Sequence, residues 1–238
     1  MGTSELLSRP EELSMTTFVL VPGAWHLPST FDLLRGELDA VGHASLAVKL
    51  PTTGPDPHGG LRDDAAAIRT AITAVGDPVV VMAHSYGGIP ATEAAAGLPN
   101  VRHLIYLAAY VPDVNESMFT IHGIPDPDDT DGLFPIGGDP RAQLYADVPA
   151  AVADQAVSRL VDQRVQPWVD RVTEAAWQTV ASTYILTEQD ASLPVDLQSR
   201  MAARTRDVRR IATGHSPFLS RPAELAALLD AIDREKDA

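Results

Sequence analysis

The run Pro78-Val79-Val80-Val81-Met82-Ala83-His84-Ser85-Tyr86-Gly87-Gly88 limits the possible folds more than any other part of the chain, because an apolar stretch stops abruptly at a serine set among small residues. From Pro78 to Ala83 there is no polar side chain, the pattern of a strand buried on both faces. From Tyr86 onward, Ile89, Thr92, Glu93 and Ala96 recur at helical spacing. Ser85 therefore falls on a tight turn between strand and helix. Such a turn strains its central residue and requires small neighbours two positions to either side, here Ala83 and Gly87. A serine presented in this way is a candidate nucleophile; the plainer alternative is an N-cap on an ordinary helix.

The rest of the chain alternates in the same manner. Strands are predicted at Thr17–Val21, His43–Leu50, Val101–Ala109, Thr183–Thr187 and Asp207–Ala212, and helices near Ser29–Ala40, Leu61–Val75, Val195–Arg204 and Pro222–Ile232. Strand-helix alternation implies an α/β fold with a mostly parallel, doubly wound sheet, and chemistry gathers at the carboxyl ends of its strands. Residues 113–180 are too many for a connection and read as an inserted helical cap between core segments 16–112 and 181–238. Within it, helices are predicted over Pro149–Gln163, with Asp147 as a cap, and from Thr173 through Val180. Trp168 and Trp177 fall in this cap, with packing the plainer role for both. Asp126, Asp128, Asp129 and Asp131 lack the spacing and closing glutamate of a calcium loop and read as a solvated turn, so no metal is expected.

Composition narrows the functional classes. A net charge of −14 over 238 residues argues against nucleic acid and anionic membranes as partners. The absence of cysteine excludes disulfides and a thiolate nucleophile. No stretch is apolar enough to span a bilayer, and residues 1–14 lack the basic start and apolar middle of a secretory signal. The expectation is a cytoplasmic protein whose residues 1–15 form a flexible extension. A homodimer is left open.

A serine hydroxyl needs a base, and of seven histidines His215 follows the last strand in Ile211-Ala212-Thr213-Gly214-His215-Ser216, where a loop can bring an imidazole over the sheet edge. His43, His58, His103 and His122 read as surface residues, and His26 and His84 as neighbours of the serine. The imidazole needs a carboxylate, and Asp190 lies in the loop after Thr183–Thr187; Glu188 and Asp113 are the competing acids. An oxyanion needs two fixed backbone N–H donors. Tyr86, directly after the serine, is one, and Ala24 in Val21-Pro22-Gly23-Ala24-Trp25-His26 is the other. Gly23, Trp25, His26, Trp168 and Trp177 are candidates for the pocket wall.

With Ala83-His84-Ser85-Tyr86-Gly87-Gly88, Pro22-Gly23-Ala24-Trp25-His26, Tyr184 through Gln198 and Gly214 through Leu229 in order, the chain resembles the α/β-hydrolase superfamily over about residues 16–234, and within it the small methylesterase and hydroxynitrile-lyase-like branch. The resemblance implies the α/β-hydrolase fold with a helical cap, a Ser85-His215-Asp190 triad, an oxyanion hole from Ala24 and Tyr86, and no cofactor. It implies hydrolysis of a small to medium apolar carboxylic ester or lactone. Two departures stand out: Pro22 where the family commonly has histidine, and Ala83 where it has glycine. The alternatives are a lyase on the same triad and a small-ligand binding protein. Lyases of the branch look to need a lysine near the histidine and a threonine in the oxyanion loop, where this chain has Ser216 and Gly23; its two lysines are Lys49 and Lys236.

Overall fold

The computed structural model describes residues 15–237, so the expected N-terminal extension lies, apart from exposed Met15, outside the described residues. In chain order the first half contains β1 (Thr17–Val21), α1 (Asp32–Ala40), β2 (Ala44–Ala47), α2 (Leu61–Val75), β3 (Val79–His84), α3 (Gly88–Ala94) and β4 (Val101–Leu107). Between β4 and the next long strand lie α4 (Met118–His122), β5 (Leu133–Phe134), α5 (Pro140–Leu144), α6 (Ala150–Ser158), β6 (Gln163–Arg164) and α7 (Gln166–Val169). The chain finishes with β7 (Ser182–Thr187), α8 (Val195–Ala202), β8 (Asp207–Ile211), α9 (Pro217–Ser220) and α10 (Pro222–Asp237).

Six strands form one parallel sheet in the order β2-β1-β3-β4-β7-β8, while β5 and β6 pair antiparallel in the insertion. The apolar runs split by alternation. Val19, Val81, Ala83, Leu104 and Tyr106 pack with Ile68 and Ile72 of α2, Ile89 of α3 and Leu197 of α8. Phe18, Leu20, Val80, Met82 and Ile105 pack on the other face with Leu34 and Leu38 of α1 and Leu225 and Leu229 of α10. Two-sided burial explains why the central strands carry no polar alternation. After β1 the chain steps outward to β2, then returns to place β3 on the opposite side of β1. The carboxyl ends of β1 and β3 therefore flank the switch point where open α/β sheets form their crevice.

Several elements are shorter than their sequence patterns. The strand expected over His43–Leu50 is confined to β2, because this edge strand has only β1 as a neighbour and that register ends at Leu20 opposite Ala47. The helix expected from Tyr86 begins as a 3-10 turn over Ser85–Gly87, and β4 stops at Leu107 because Ala108 adopts a φ of 43°. In the insertion, α6 ends at Ser158, and Gln163 is drawn into β6 opposite Phe134. Thr173 caps no helix: its N–H and hydroxyl donate to the Glu93 carboxylate, leaving one 3-10 turn over Ala176–Gln178. Asp147 likewise caps no helix and accepts the Gly214 N–H at 2.8 Å.

The turn after β3 is pressed against the end of β1. A Cβ on Gly87 would stand 2.4 Å from the Pro22 carbonyl oxygen and 2.9 Å from that of Val21, and backbone carbonyls cannot yield as a side-chain tip does. Gly87→Ala is predicted to lose ~1–3 kcal/mol or more of stability through overpacking, read as a lower urea midpoint at unchanged m.

Candidate active site

Ser85 sits at the carboxyl end of β3 with a φ of 52°, the left-handed region that costs a non-glycine residue ~1–2 kcal/mol. Its carbonyl accepts the Tyr110 N–H at 3.2 Å, which ties the turn to the exit of β4. The loop leaving β1 lies alongside: a Cβ built on Gly23 would be 3.0 Å from the Ser85 Cβ. Ala24 is buried in that loop, and Tyr86 opens the helical turn after the serine, fully buried.

His215 and Asp190 come together from the loops after β8 and β7. The His215 Nδ1–H donates to Asp190 Oδ2 at 2.8 Å, which leaves Nε2 as the acceptor nitrogen. Asp190 is well anchored: Oδ1 accepts the N–H groups of Ser192 and Leu193, each at 2.8 Å, and Oδ2 accepts the Thr187 hydroxyl and the Gln198 amide. Burial alone would raise the Asp190 pKa, but the neighbouring His215 and these donors outweigh it and hold the carboxyl below its usual range. Glu188 instead faces Arg210 at 3.7 Å, and Asp113 accepts from the Val114 N–H and the Gln178 amide. Of the three candidate acids, Asp190 is the one hydrogen-bonded to His215.

His84, the residue before the serine, donates its Nε2–H to the His215 carbonyl at 2.9 Å, and the two rings are 4.6 Å apart. This contact places the His215 loop beside the Ser85 turn. His26 is equally fixed. Its Nδ1–H donates to the Ala24 carbonyl at 2.6 Å and its Nε2 accepts the Tyr145 hydroxyl at 2.7 Å. Burial lowers its pKa to about 4, against the Ala24 hydrogen bond and with help from His215, so the ring is neutral at pH 7.

Trp25, at a φ of 62°, donates its backbone N–H to Gln163 Oε1 at 3.1 Å and its indole N–H to the Phe134 carbonyl at 2.8 Å. Trp168 stacks on Phe134 at 4.1 Å and on Tyr86 at 5.9 Å, so Trp25, Tyr86 and Trp168 share one aromatic cluster. Trp177 stands apart, its indole N–H donating to the Pro112 carbonyl at 2.7 Å. Two histidines expected at the surface are buried: His43 pairs with Asp230 at 3.0 Å, and His103 reaches the Thr183 hydroxyl at 2.9 Å. Sequence reasoning also passed over Thr52, Asp64, Tyr145 and Gln163. Asp64 had a signal, since Leu61, Ala65, Ile68 and Ile72 place it on the buried stripe of α2.

A cavity of about 170 Å³ lies on the α1 and α6 side of His26, lined by His26, Leu27, Tyr145, Ala156, Leu160 and Leu219, and Ser85 is not in its wall. Among the described residues, no group of three or more His, Asp or Glu side chains is placed to hold a metal ion, and no helix is long and apolar enough to cross a membrane.

Two measurements follow from this geometry. Glycine relieves the positive φ at position 85, so Ser85→Gly is predicted to be more stable than Ser85→Ala by ~1 kcal/mol in urea unfolding. For His26, the unfolded ring binds its proton near ~6.5 and the folded ring only at about 4, so acid favours the unfolded state. The stabilisation is complete above pH ~6.5 and fades toward pH 4; wild type is predicted to lose ~2 kcal/mol more than His26→Asn between pH 7 and pH 5.

Comparison with known proteins agrees with this architecture. Residues 18–228 match the Alpha/beta hydrolase family. The Alpha/beta hydrolase nvfD of Aspergillus novofumigatus (strain IBT 16806) is 32% identical over 227 residues, covering 86% of this chain and 91% of that protein. Methylesterase 7 of Arabidopsis thaliana is 28% identical over 248 residues, covering 89% of this chain and 94% of that protein. The crystal structure of polyneuridine aldehyde esterase superposes with a TM-score of 0.78 at 19% identity, covering 92% of this chain and 99% of that one. The parallel sheet, the strained serine turn and the match over most of its length make this chain a member of the alpha/beta hydrolase family, on the branch that resembles the methylesterases.

Proposed function

We propose that the protein hydrolyses a small to medium, largely apolar carboxylic ester or lactone through an acyl-enzyme. The observation that carries this reading is the Asp190–His215 hydrogen bond, on a loop tied through His84 to the turn that holds Ser85 at positive φ at the switch point of the sheet. Methylesterases among the relatives support the same class of bond.

In the proposed mechanism, Ser85 Oγ attacks the ester carbonyl carbon while His215 Nε2 takes the hydroxyl proton. The backbone N–H groups of Ala24 and Tyr86 receive the oxyanion, each such donor being worth ~10²–10³ in kcat. As the tetrahedral intermediate collapses, the alcohol leaves with the proton held on Nε2. Water then attacks the acyl carbon, gives its proton to Nε2, and the second intermediate expels Ser85, which recovers the proton as the acid is released. Asp190 remains ionised throughout, consistent with its lowered pKa, and keeps the Nδ1–H tautomer of His215 in place. The aromatic cluster of Trp25, Phe134 and Trp168 next to Tyr86 suits an apolar acyl or alcohol group.

Initial rates on p-nitrophenyl acetate, butyrate and octanoate test the proposal. Wild type is expected to turn over at least one of the three. Ser85→Ala and His215→Ala are expected to lose ~10³-fold or more, and Asp190→Asn ~10²-fold or more. Turnover that survives in Ser85→Ala would remove the serine from the mechanism.

A further inference from the structure

A polar chain that the proposed mechanism leaves unused connects the two sides of the oxyanion hole. It begins at Asp64, wholly buried at the start of α2. Asp64 Oδ2 accepts the Tyr86 hydroxyl at 2.6 Å and the Thr52 hydroxyl at 2.6 Å, and Oδ1 accepts the Thr52 N–H at 3.0 Å. The Thr52 hydroxyl accepts in turn from Gln163 Nε2 at 3.1 Å. Gln163 Oε1 then accepts the Trp25 N–H at 3.1 Å and the Thr53 hydroxyl at 2.8 Å. The chain therefore runs from the side chain of Tyr86 to the backbone N–H of Trp25, the residue next to Ala24.

We infer that Thr52, Asp64 and Gln163 are positioning residues that brace the two oxyanion donors against each other, with Gln163 bringing the insertion into the brace. The inference rests on the proposed assignment of the Ala24 and Tyr86 N–H groups as those donors.

Four physical features support it. Trp25 and Ser85 both hold positive φ, so the two halves of the hole are built on strained backbone that needs external support. A carboxylate offers acceptors only, and Asp64 spends both oxygens on three donors while lying in the first turn of α2, where the helix dipole favours an anion. Burial, partly offset by the Thr52 and Tyr86 hydrogen bonds, raises its pKa to about 6, with Asp63 adding to the rise. By linkage, the fold is less stabilised by ionised Asp64 than by its protonated form. The Tyr86, Trp168 and Trp25 rings make a second, apolar link between the same two residues.

The test compares wild type with Thr52→Val, Thr52→Ser, Asp64→Asn and Gln163→Leu. Steady-state kinetics on p-nitrophenyl butyrate are combined with melting temperatures and amide hydrogen exchange. Thr52→Val keeps the shape and removes the hydroxyl link, whereas Thr52→Ser keeps the link and removes a methyl group. The brace predicts that Thr52→Val, Asp64→Asn and Gln163→Leu lose ~10-fold or more in kcat, with KM within ~2-fold, and that Thr52→Ser retains most of kcat. Equal kcat in Thr52→Val and Thr52→Ser, or losses that only follow the melting temperatures, would overturn it. A wild type inert on every ester sinks the proposed function separately, and exchange at the Trp25 amide then decides the brace. Faster exchange confined to that turn in Gln163→Leu supports it, and unchanged exchange overturns it.

Discussion

The close approach of the Ser85 turn to the end of β1 is the constraint on which the other features of the site depend. Gly87 lies so near the Val21 and Pro22 carbonyls that any side chain there would collide with them, and the turn it belongs to holds Ser85 at positive φ. The same contact sets the loop of Gly23 and Ala24 beside the serine. Because β1 and β3 are neighbours across the switch point, the alignment of their ends comes from the sheet register, Val21 opposite Ala83, and needs no flexible loop to find it. The histidine and aspartate can then arrive on loops of ordinary length after β8 and β7.

Hydrogen bonds hold the side chains of Asp190, His26 and His84 in place, while His84 Nδ1 and the Ser216 hydroxyl are buried without a partner. Asp190 is given four donors besides His215, and both remaining histidines near the serine are locked into single neutral tautomers by a carbonyl acceptor. Neutral His26 and His84 matter electrostatically, since burial, with His215 adding to it, depresses both pKa values. A charge on either ring would oppose an imidazolium at His215.

The central sheet was legible because burial on both faces writes an unbroken apolar run, as in Val79–Ala83, just ahead of Ser85, whereas Asp190 and His215 were legible from their place in the loops that follow β7 and the more polar β8. The elements between β4 and β7 were not legible in the same way. Helical patterning carried Pro149–Gln163 as one helix, yet Gln163 gains more from Trp25, Thr52 and Thr53 than from an intrahelical bond, so long-range contacts override local propensity there. Thr173 looked like a helix cap and serves Glu93 instead. His43 and His103 looked exposed because a lone polar residue at a strand end gives no sign of a partner as distant as Asp230 or Thr183. Asp64 was the readable exception: an acid on the apolar stripe of an amphipathic helix marks a buried charge with partners elsewhere.

The bond from Asp147 to the Gly214 N–H joins the insertion to the residue preceding His215. The insertion is therefore not an interchangeable lid over an autonomous core. A segment grafted in its place would have to bring its own acceptor to this point, or leave the loop carrying His215 without one of its anchors. Through this one tether the segment between β4 and β7 shares in the support of the loop that carries His215 and is not merely a cover laid over the sheet.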